Sequence, residues 1–337
     1  MSKTAAGQAI QKTHHFVLAT HVRPDGDALG SMFGLADILT MMGREVVCYL
    51  EQPVPPRYSF LTPQIRIETD FDQIRAFAAQ CSNDIMGISL DCGDLSRLGE
   101  MGTALTAVRP FLVIDHHQGK GFGELQWVEP HRSSTGEMVY DLAEELGVAD
   151  RISKEAAECL YMAIVTDTGS FQYDATSAHT FAVAGKLIER GVVPAFICRS
   201  LFDNNSFSGL QLMQTVLATL QTYAEDQVAV IRLSRQMLQE TGAAYEECEG
   251  LIDFPRSVGT VRVAVFLKEA DTEKDQVSVS LRAKGDCNVA EVAARFSGGG
   301  HRNAAGFRVQ GKSLDEVCVM LIPVLEQALK QSAEDRA

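Results

Sequence analysis

Phe16-Val17-Leu18-Ala19-Thr20-His21-Val22-Arg23-Pro24-Asp25-Gly26-Asp27-Ala28-Leu29-Gly30-Ser31 reads as a strand, a polar turn and the opening of a helix. The run before His21 is almost continuously apolar, as in a parallel strand buried on both faces, and the apolar positions from Asp27 to Met42 recur at helical spacing. Between them the turn presents one imidazole and two carboxylates, His21, Asp25 and Asp27. Working outward, Glu45 to Leu50, Ile85 to Leu90 and Phe111 to Ile114 repeat the strand reading, and Leu95 to Val108 reads as a second helix. Buried strands alternating with helices predict βαβ units and an α/β fold with a doubly wound, mainly parallel sheet.

Past this region the pattern turns helical. Ser134-Thr135-Gly136-Glu137 fits a capping box ahead of Met138 to Leu146, the Ser hydroxyl and Glu carboxylate each satisfying an orphan amide. Helices over Ser153 to Val165 and Ser177 to Arg190 follow, the latter stopped by Gly191. Residues 192–224 mix Pro, Asn and Ser with scattered apolar positions and read as a linker or hinge that ends in a helix near Leu210 to Tyr223. Beyond it, strands at Val228 to Leu233, Thr260 to Leu267 and Gln276 to Leu281, with helices at Val289 to Phe296 and Leu314 to Gln331, predict a smaller α+β domain. The expected division is residues 1–191, 192–224 and 225–337.

The bulk numbers agree with two domains: 337 residues, 46% hydrophobic and 22% charged, are enough for ordinary cores without staples. Lys and Arg number 30 against 44 Asp and Glu, a net charge of −14, which argues against a broad basic face for long nucleic acid. A small anionic substrate is not excluded, because bound divalent cations supply local positive charge and distant surface charge is screened beyond about 10 Å. Leu251 to Lys312 carries ten basic and seven acidic residues, so the C-terminal part is the better anion binder. The eight cysteines stand singly with no C-x-x-C pair, and no N-terminal apolar signal is evident; reduced thiols in a cytoplasmic protein are expected. No apolar run approaches the ~20 residues of a membrane span.

Ligands of open parallel sheets bind beyond the carboxyl ends of the strands. His21, Asp25 and Asp27 follow the first strand, Asp91 the third and Asp115-His116-His117 the fourth, whereas Asp167 ends a helical pattern. An isolated Asp-Gly-Asp is ordinarily a turn and a His pair is ordinarily incidental. Recurrence at three strand ends points instead to a metal crevice. Five carboxylates in one crevice would repel each other unless cations bind. Carboxylate and imidazole donors without thiolate suit Mn²⁺ first, with Mg²⁺ or Co²⁺ also admissible, and the donor count suffices for two ions sharing one carboxylate. Cys92, next to Asp91, reads as a buried spectator thiol; His14, His15, His131 and His179 fall outside the pattern. In the C-terminal part, Gly298-Gly299-Gly300 removes side chains that would block backbone approach, so amides near Gly299 and Gly300 can donate to a phosphate. His301, Arg282 and Lys284 adjoin it; Arg262 and Arg302 read as solvated surface groups.

These residues resemble a known family. Asp115-His116-His117, with His21-x-x-x-Asp25-x-Asp27, Asp91 and Thr166-Asp167-Thr168-Gly169, is similar to the motif set of the DHH phosphoesterase superfamily, and Gly298 to Phe307 looks like its DHHA1 substrate-binding domain. The resemblance runs over nearly the whole chain. It is strongest to the stand-alone oligoribonucleases, or nanoRNases, which remove 5′-mononucleotides from very short RNA and dephosphorylate 3′-phosphoadenosine 5′-phosphate.

The resemblance implies an N-terminal catalytic metal-binding domain, a C-terminal substrate domain and an active site in the cleft between them, with in-line attack on phosphorus by a metal-activated hydroxide. It implies His21 and Asp25 on one metal, Asp27, His116 and Asp167 on the other, Asp91 bridging, His117 as no direct ligand but a group behind the ligands or facing the phosphate, and Asp115 as an orienting partner. Arg282 and His301, with Gly299 and Gly300, would hold the substrate. Short RNA and nucleotide bisphosphates are the implied partners, without long duplex nucleic acid or membrane, and a homodimer is compatible. The alternatives are a linear or cyclic dinucleotide phosphodiesterase, a manganese-dependent inorganic pyrophosphatase with a different basic motif in its second domain, a RecJ-like exonuclease, for whose extra nucleic-acid domain this length leaves no room, and a non-enzymatic nucleotide-binding protein. One departure stands out: relatives often carry an arginine just after Asp167-Thr168-Gly169, where this chain has Ser170.

Overall fold

The computed structural model describes residues 1–334 except 62–63, 82–83, 118, 120, 205 and 271–274, and except the side chains of 301, 333 and 334. It divides into two units, Met1–Asn204 and Asn205–Ala337. The first contains α1 (Lys3–Gln11), β1 (His15–Ala19), α2 (Gly26–Met41), β2 (Glu45–Tyr49), β3 (Arg66–Glu68), α3 (Phe71–Gln80), β4 (Ile85–Leu90), α4 (Gly102–Leu105), β5 (Phe111–Asp115), β6 (Leu125–Val128), α5 (Thr135–Glu145), α6 (Lys154–Asp167), α7 (Ala178–Glu189) and α8 (Pro194–Phe202).

Its sheet has the order β3-β2-β1-β4-β5-β6 with every neighbouring pair parallel, the doubly wound arrangement expected. Alternate residues of each strand enter separate cores. Phe16, Leu18, Ile88 and Leu112 pack with α2, α5 and α6 on one face, while Val17, Val47, Phe111 and Val113 pack with Ile74 and Phe77 of α3 on the other. Strand order reverses at the β1–β4 neighbourhood, so the carboxyl ends of these two strands open onto the crevice where such folds bind ligands.

Helix α2 reaches that crevice because it lies almost in contact with α6. Gly26, Gly30 and Gly34 recur every fourth residue, and a Cβ on them would sit 2.4 Å from Thr166 Cγ2, 2.4 Å from the Cys159 carbonyl oxygen and 2.5 Å from Leu160 Cδ2. That close approach brings the first turn of α2 beside the last turn of α6, and so Asp27 beside Asp167.

Several expected elements differ. Leu95 to Val108 is not one helix but a 3₁₀ turn at Leu95–Leu98 and the single turn α4, because Gly99 adopts φ 83 between them. The helices α1, α3 and α8 and the short edge strands β3 and β6 were not expected; Asp70 starts α3 by accepting from the Asp72 amide at 2.9 Å. At α5 only half of the capping box forms. Ser134 Oγ accepts from the Glu137 amide at 3.0 Å, but the Glu137 carboxylate turns to Arg132, Ser133 and Thr180.

The second unit contains α9 (Phe207–Leu217), β7 (Gln221–Tyr223), β8 (Val228–Leu233), α10 (Arg235–Thr241), α11 (Asp253–Ser257), β9 (Val263–Glu269), β10 (Gln276–Ala283), α12 (Val289–Ala294), β11 (Gly299–His301), β12 (Ala304–Gln310) and α13 (Leu314–Glu334). Its sheet, in the order β11-β12-β10-β9-β8-β7, is antiparallel except for the parallel β8–β9 pair, and Val279, Leu281, Phe307 and Leu321 lie in its core. The helix expected from Leu210 to Tyr223 ends at Leu217, and its last residues become β7. Of the stretch read as a hinge, α8 buries Ile197 and Leu201 in the first unit and α9 buries Leu212 and Val216 in the second. No described helix is long and apolar enough to cross a membrane.

Candidate metal centre

The strand ends deliver their polar residues to one place. Beyond β1 lie His21 and then Asp25, which also caps α2 by accepting from the Ala28 amide at 3.0 Å. Asp91 follows β4 in the left-handed region at φ 56, a conformation that strains a non-glycine residue by roughly 1–3 kcal/mol and recurs at functional sites. Asp115 closes β5 and is followed by His116 and His117.

The donor atoms fall into three overlapping groups, each with its atoms within 4.8 Å of one another: His21, Asp25 and Asp91; Asp27, His116 and Asp167; Asp91, His116 and His117. Asp91 is divided between its neighbours. Its Oδ2 lies 3.6 Å from His21 Nε2, while its Oδ1 lies 3.6 Å from His116 Nε2 and 3.2 Å from His117 Nδ1. His116 Nε2 lies 3.2 Å from Asp167 Oδ2 and 3.7 Å from Asp27 Oδ2, and His21 Nε2 lies 3.9 Å from Asp25 Oδ1. Asp115 stands behind, its Oδ1 accepting from the His117 amide at 3.0 Å and contacting His117 Nδ1 at 2.7 Å.

Two observations fit this cluster to cations. The Nδ1 of His21 lies 3.0 Å from the Val22 carbonyl oxygen and that of His116 lies 3.0 Å from the Arg132 carbonyl oxygen. A carbonyl can only accept, so each Nδ1 carries the hydrogen and each Nε2 of a neutral ring keeps its lone pair. Both Nε2 atoms are buried, and among the described residues neither has a hydrogen-bond partner.

The second observation is electrostatic. Burial, reinforced by the charges of Asp91, Asp167 and Asp25, pushes the Asp27 carboxyl well above the usual carboxylate range. Burial likewise lifts Asp167, to about 7, against the pull of His116. Asp91 goes the other way. Burial alone would raise it, but the hydrogen bond from His117 and the charges of His117 and His116 hold it well below the usual range. His117, pulled down by burial, is pushed up to about 11 by Asp115 and Asp91. The Asp27 side therefore lacks positive charge. Hard oxygens, two imidazole nitrogens and no thiolate are a donor set for a divalent ion. Cys92 is no competitor, since burial raises its thiol to about 12.

In the second unit, Arg282 near the end of β10 pairs with Ala304, which pairs in turn with His301, so the three occupy one row across β10, β12 and β11. The His301 side chain lies outside the described residues. Around Gly299 a Cβ would meet nothing within 4 Å, whereas Gly300, at φ 139, has the Ala304 carbonyl oxygen at 2.5 Å. Lys284 Nζ donates to the Val258 carbonyl at 2.7 Å, Arg262 to Ser332 Oγ at 2.9 Å and Arg302 to the Asp286 carbonyl at 2.8 Å. His14, His15 and His179 bond away from the cluster, to Arg44, Asp84 and Asp141. Read as a capping motif alone, Ser134 to Glu137 concealed its link to the cluster: Thr135 and Gly136 direct amides at Asp27. The only local trace is that helix-start amides attract anionic groups; their partner Asp27 lies more than a hundred residues away.

The comparisons with known proteins agree over most of the chain. The DHH family, N-terminal domain, matches residues 15–164, and the DHHA1 domain matches residues 225–327. The bifunctional oligoribonuclease and PAP phosphatase NrnA of Thermus thermophilus is 30% identical over 321 residues, covering 94% of this chain and 90% of its own. The chain belongs to the DHH–DHHA1 phosphoesterases. The Bacillus subtilis bifunctional oligoribonuclease and PAP phosphatase NrnA is 27% identical, covering 90% of this chain and 92% of its own. A crystal structure of an exopolyphosphatase-related protein from Bacteroides fragilis is 30% identical and superposes with a TM-score of 0.85, covering 98% of this chain and 95% of that one. This DHH–DHHA1 chain is thus a phosphoester hydrolase of a metal-dependent family, and it carries the Asp and His cluster such chemistry requires.

Proposed function

We propose that this phosphoesterase hydrolyses very short oligoribonucleotides to 5′-mononucleotides and 3′-phosphoadenosine 5′-phosphate to AMP, using two divalent ions, Mn²⁺ in preference to Mg²⁺ or Co²⁺. The supporting observation is the division of Asp91, one oxygen toward His21 and the other toward His116, between two donor groups whose imidazole Nε2 atoms have no hydrogen-bond partner among the described residues. In this reading His21 and Asp25 hold one ion, Asp27, His116 and Asp167 hold the other, and Asp91 is shared. Ions bound there would supply Lewis acidity that acidifies the attacking water and offsets charge on the phosphoryl oxygens.

The chain's own residues do the rest. Asp115 fixes the His117 ring through Nδ1 and the backbone amide, and its carboxylate favours the protonated ring, a cationic donor to a phosphoryl or leaving oxygen. Arg282, His301 and the amides of Gly299 and Gly300 take a second phosphate of the substrate. The names of the Thermus and Bacillus relatives favour this substrate class over pyrophosphate or a cyclic dinucleotide.

The test is a Mn²⁺-supplemented panel of RNA dinucleotides, longer single strands, 3′-phosphoadenosine 5′-phosphate, linear and cyclic diadenylate and pyrophosphate, repeated with chelator. Dinucleotides and the bisphosphate should turn over fastest, with rates falling beyond about five nucleotides and vanishing with chelator. Activity on pyrophosphate alone, or equal rates on long strands, would overturn the reading.

A further inference from the structure

Outside the proposed donor set, a single turn contacts three of its members. It runs from Arg132 to Gly136 at the start of α5. The Arg132 carbonyl accepts from His116 Nδ1 at 3.0 Å. The amides of Thr135 and Gly136 donate to the two oxygens of Asp27, at 2.7 Å to Oδ2 and 2.9 Å to Oδ1. The Thr135 hydroxyl donates to Asp91 Oδ1 at 3.1 Å. Resting on the metal reading above, we propose that Thr135 is a positioning residue that fixes how Asp91 divides its oxygens between the two donor groups, on a turn that Arg132 holds rigid.

The geometry favours a positioning role over a packing one. Thr135 is fully buried, and its hydroxyl takes one lone pair of the oxygen that faces His116, leaving Oδ2 to face His21. Without that anchor, nothing from α5 opposes rotation of the Asp91 carboxylate. The turn itself cannot slide. A Cβ on Gly136 would meet Ala163 Cβ at 2.4 Å, so α5 sits hard against α6. The Arg132 guanidinium is set among three carboxylates, with Nε 2.7 Å from Glu129 Oε2, Nη1 3.1 Å from Glu137 Oε1 and Nη2 2.8 Å from Asp141 Oδ2. Thr180 Oγ1 then ties Glu137 to α7 at 2.7 Å. Outer partners of this kind commonly govern metal affinity by roughly ten- to a hundred-fold, because they select ligand orientation without touching the ion.

The experiment is calorimetric Mn²⁺ titration of the full chain, with thermal melts of the metal-free protein, for wild type, Thr135→Val, Thr135→Ala and Thr135→Ser. Valine keeps the shape and removes the hydroxyl; alanine replaces it if the valine variant does not melt cooperatively. Wild type should bind two Mn²⁺ per chain. The hydroxyl-free variants should bind at least about ten-fold more weakly while still melting cooperatively, and serine should restore affinity to within about three-fold. Wild-type affinity in the valine or alanine variant, or a serine variant as weak as they are, would overturn the positioning role while leaving the metal reading intact. A wild type that takes up no Mn²⁺ would overturn the metal reading and this inference with it.

Discussion

The two six-stranded sheets of this chain place polar chemistry by different means. In the first, β4 and β5 are buried at every residue, so a charged side chain can emerge only where a strand ends, and His21, Asp91, Asp115 and His116 all do so. In the second, β10 alternates buried and half-buried residues, and Arg282 belongs to its solvent-side row. One sheet therefore concentrates buried, mutually polarised groups at a point; the other spreads contacts over a surface. Changes in the first unit should be large and coupled, and changes in the second smaller and nearly additive.

The sharpest test of that contrast is Asp91→Ala. It removes the carboxylate shared by two donor groups together with the partner that holds His117 high. We expect kcat to fall by roughly 10³-fold or more in every substrate, with a cooperative melt retained. An unchanged kcat would end the shared-ligand assignment and the comparison built on it.

A second test uses pH. In the metal-free chain Asp27 and Asp167 have folded values above their unfolded ones, so the folded state holds protons that the unfolded chain releases. Their contribution to stability is complete below about pH 4; that of Asp167 is lost as pH rises through about 7, and that of Asp27 is lost as pH rises through its own raised value. His117 adds in the same direction, its contribution fading from the ordinary histidine range toward about 11. Cations compete with those protons, so the Mn²⁺-induced rise in Tm should be small near about pH 5 and grow toward about pH 8. Melts with Mn²⁺ and with chelator at both pH values check this; a rise independent of pH would mean that Asp27 and Asp167 do not bind the ion.

How far the chain could be read beforehand follows the same division. The parallel sheet and the convergence of His21, Asp91 and His116 were legible because continuous apolar strands and end-of-strand polar residues leave a period and a position in the sequence. Asp167 was harder to place, since its location depends on Gly26, Gly30 and Gly34 meeting α6, a helix contact between segments over a hundred residues apart. Thr135 was hidden behind a local capping motif of identical residue types. In the second unit, Gly299 to His301 shows no strand pattern, yet pairs with β12 as an edge strand, because glycine carries no strand propensity and the pairing is supplied by its neighbour.

On the second sheet, Arg282→Ala should act on binding more than on chemistry. A hydrogen bond between charged groups is worth about 1.5–3 kcal/mol, so KM for 3′-phosphoadenosine 5′-phosphate should rise by roughly ten- to a hundred-fold. Turnover of a small phosphodiester that lacks the second phosphate should stay near wild type. If kcat on that small ester collapsed as it should for Asp91→Ala, the two units would not differ in the way proposed.

The smallest effect is expected at Gly299, and it separates conformation from contact. Its neighbour Gly300 sits at φ 139 with a carbonyl 2.5 Å from any added Cβ, so Gly300→Ala would report strain rather than recognition. Gly299 has no such constraint: the space around its missing Cβ is open. Gly299→Ala should therefore change Tm by no more than about 2 °C, the shift that a few tenths of a kcal/mol produces in a chain of this size. If its amide meets a phosphate, the new methyl should still raise KM several-fold, and it should do so for substrates with a second phosphate only. Equal KM values for both substrate types would assign the glycine run to hairpin geometry and leave Arg282 and His301 as the phosphate contacts of the second sheet.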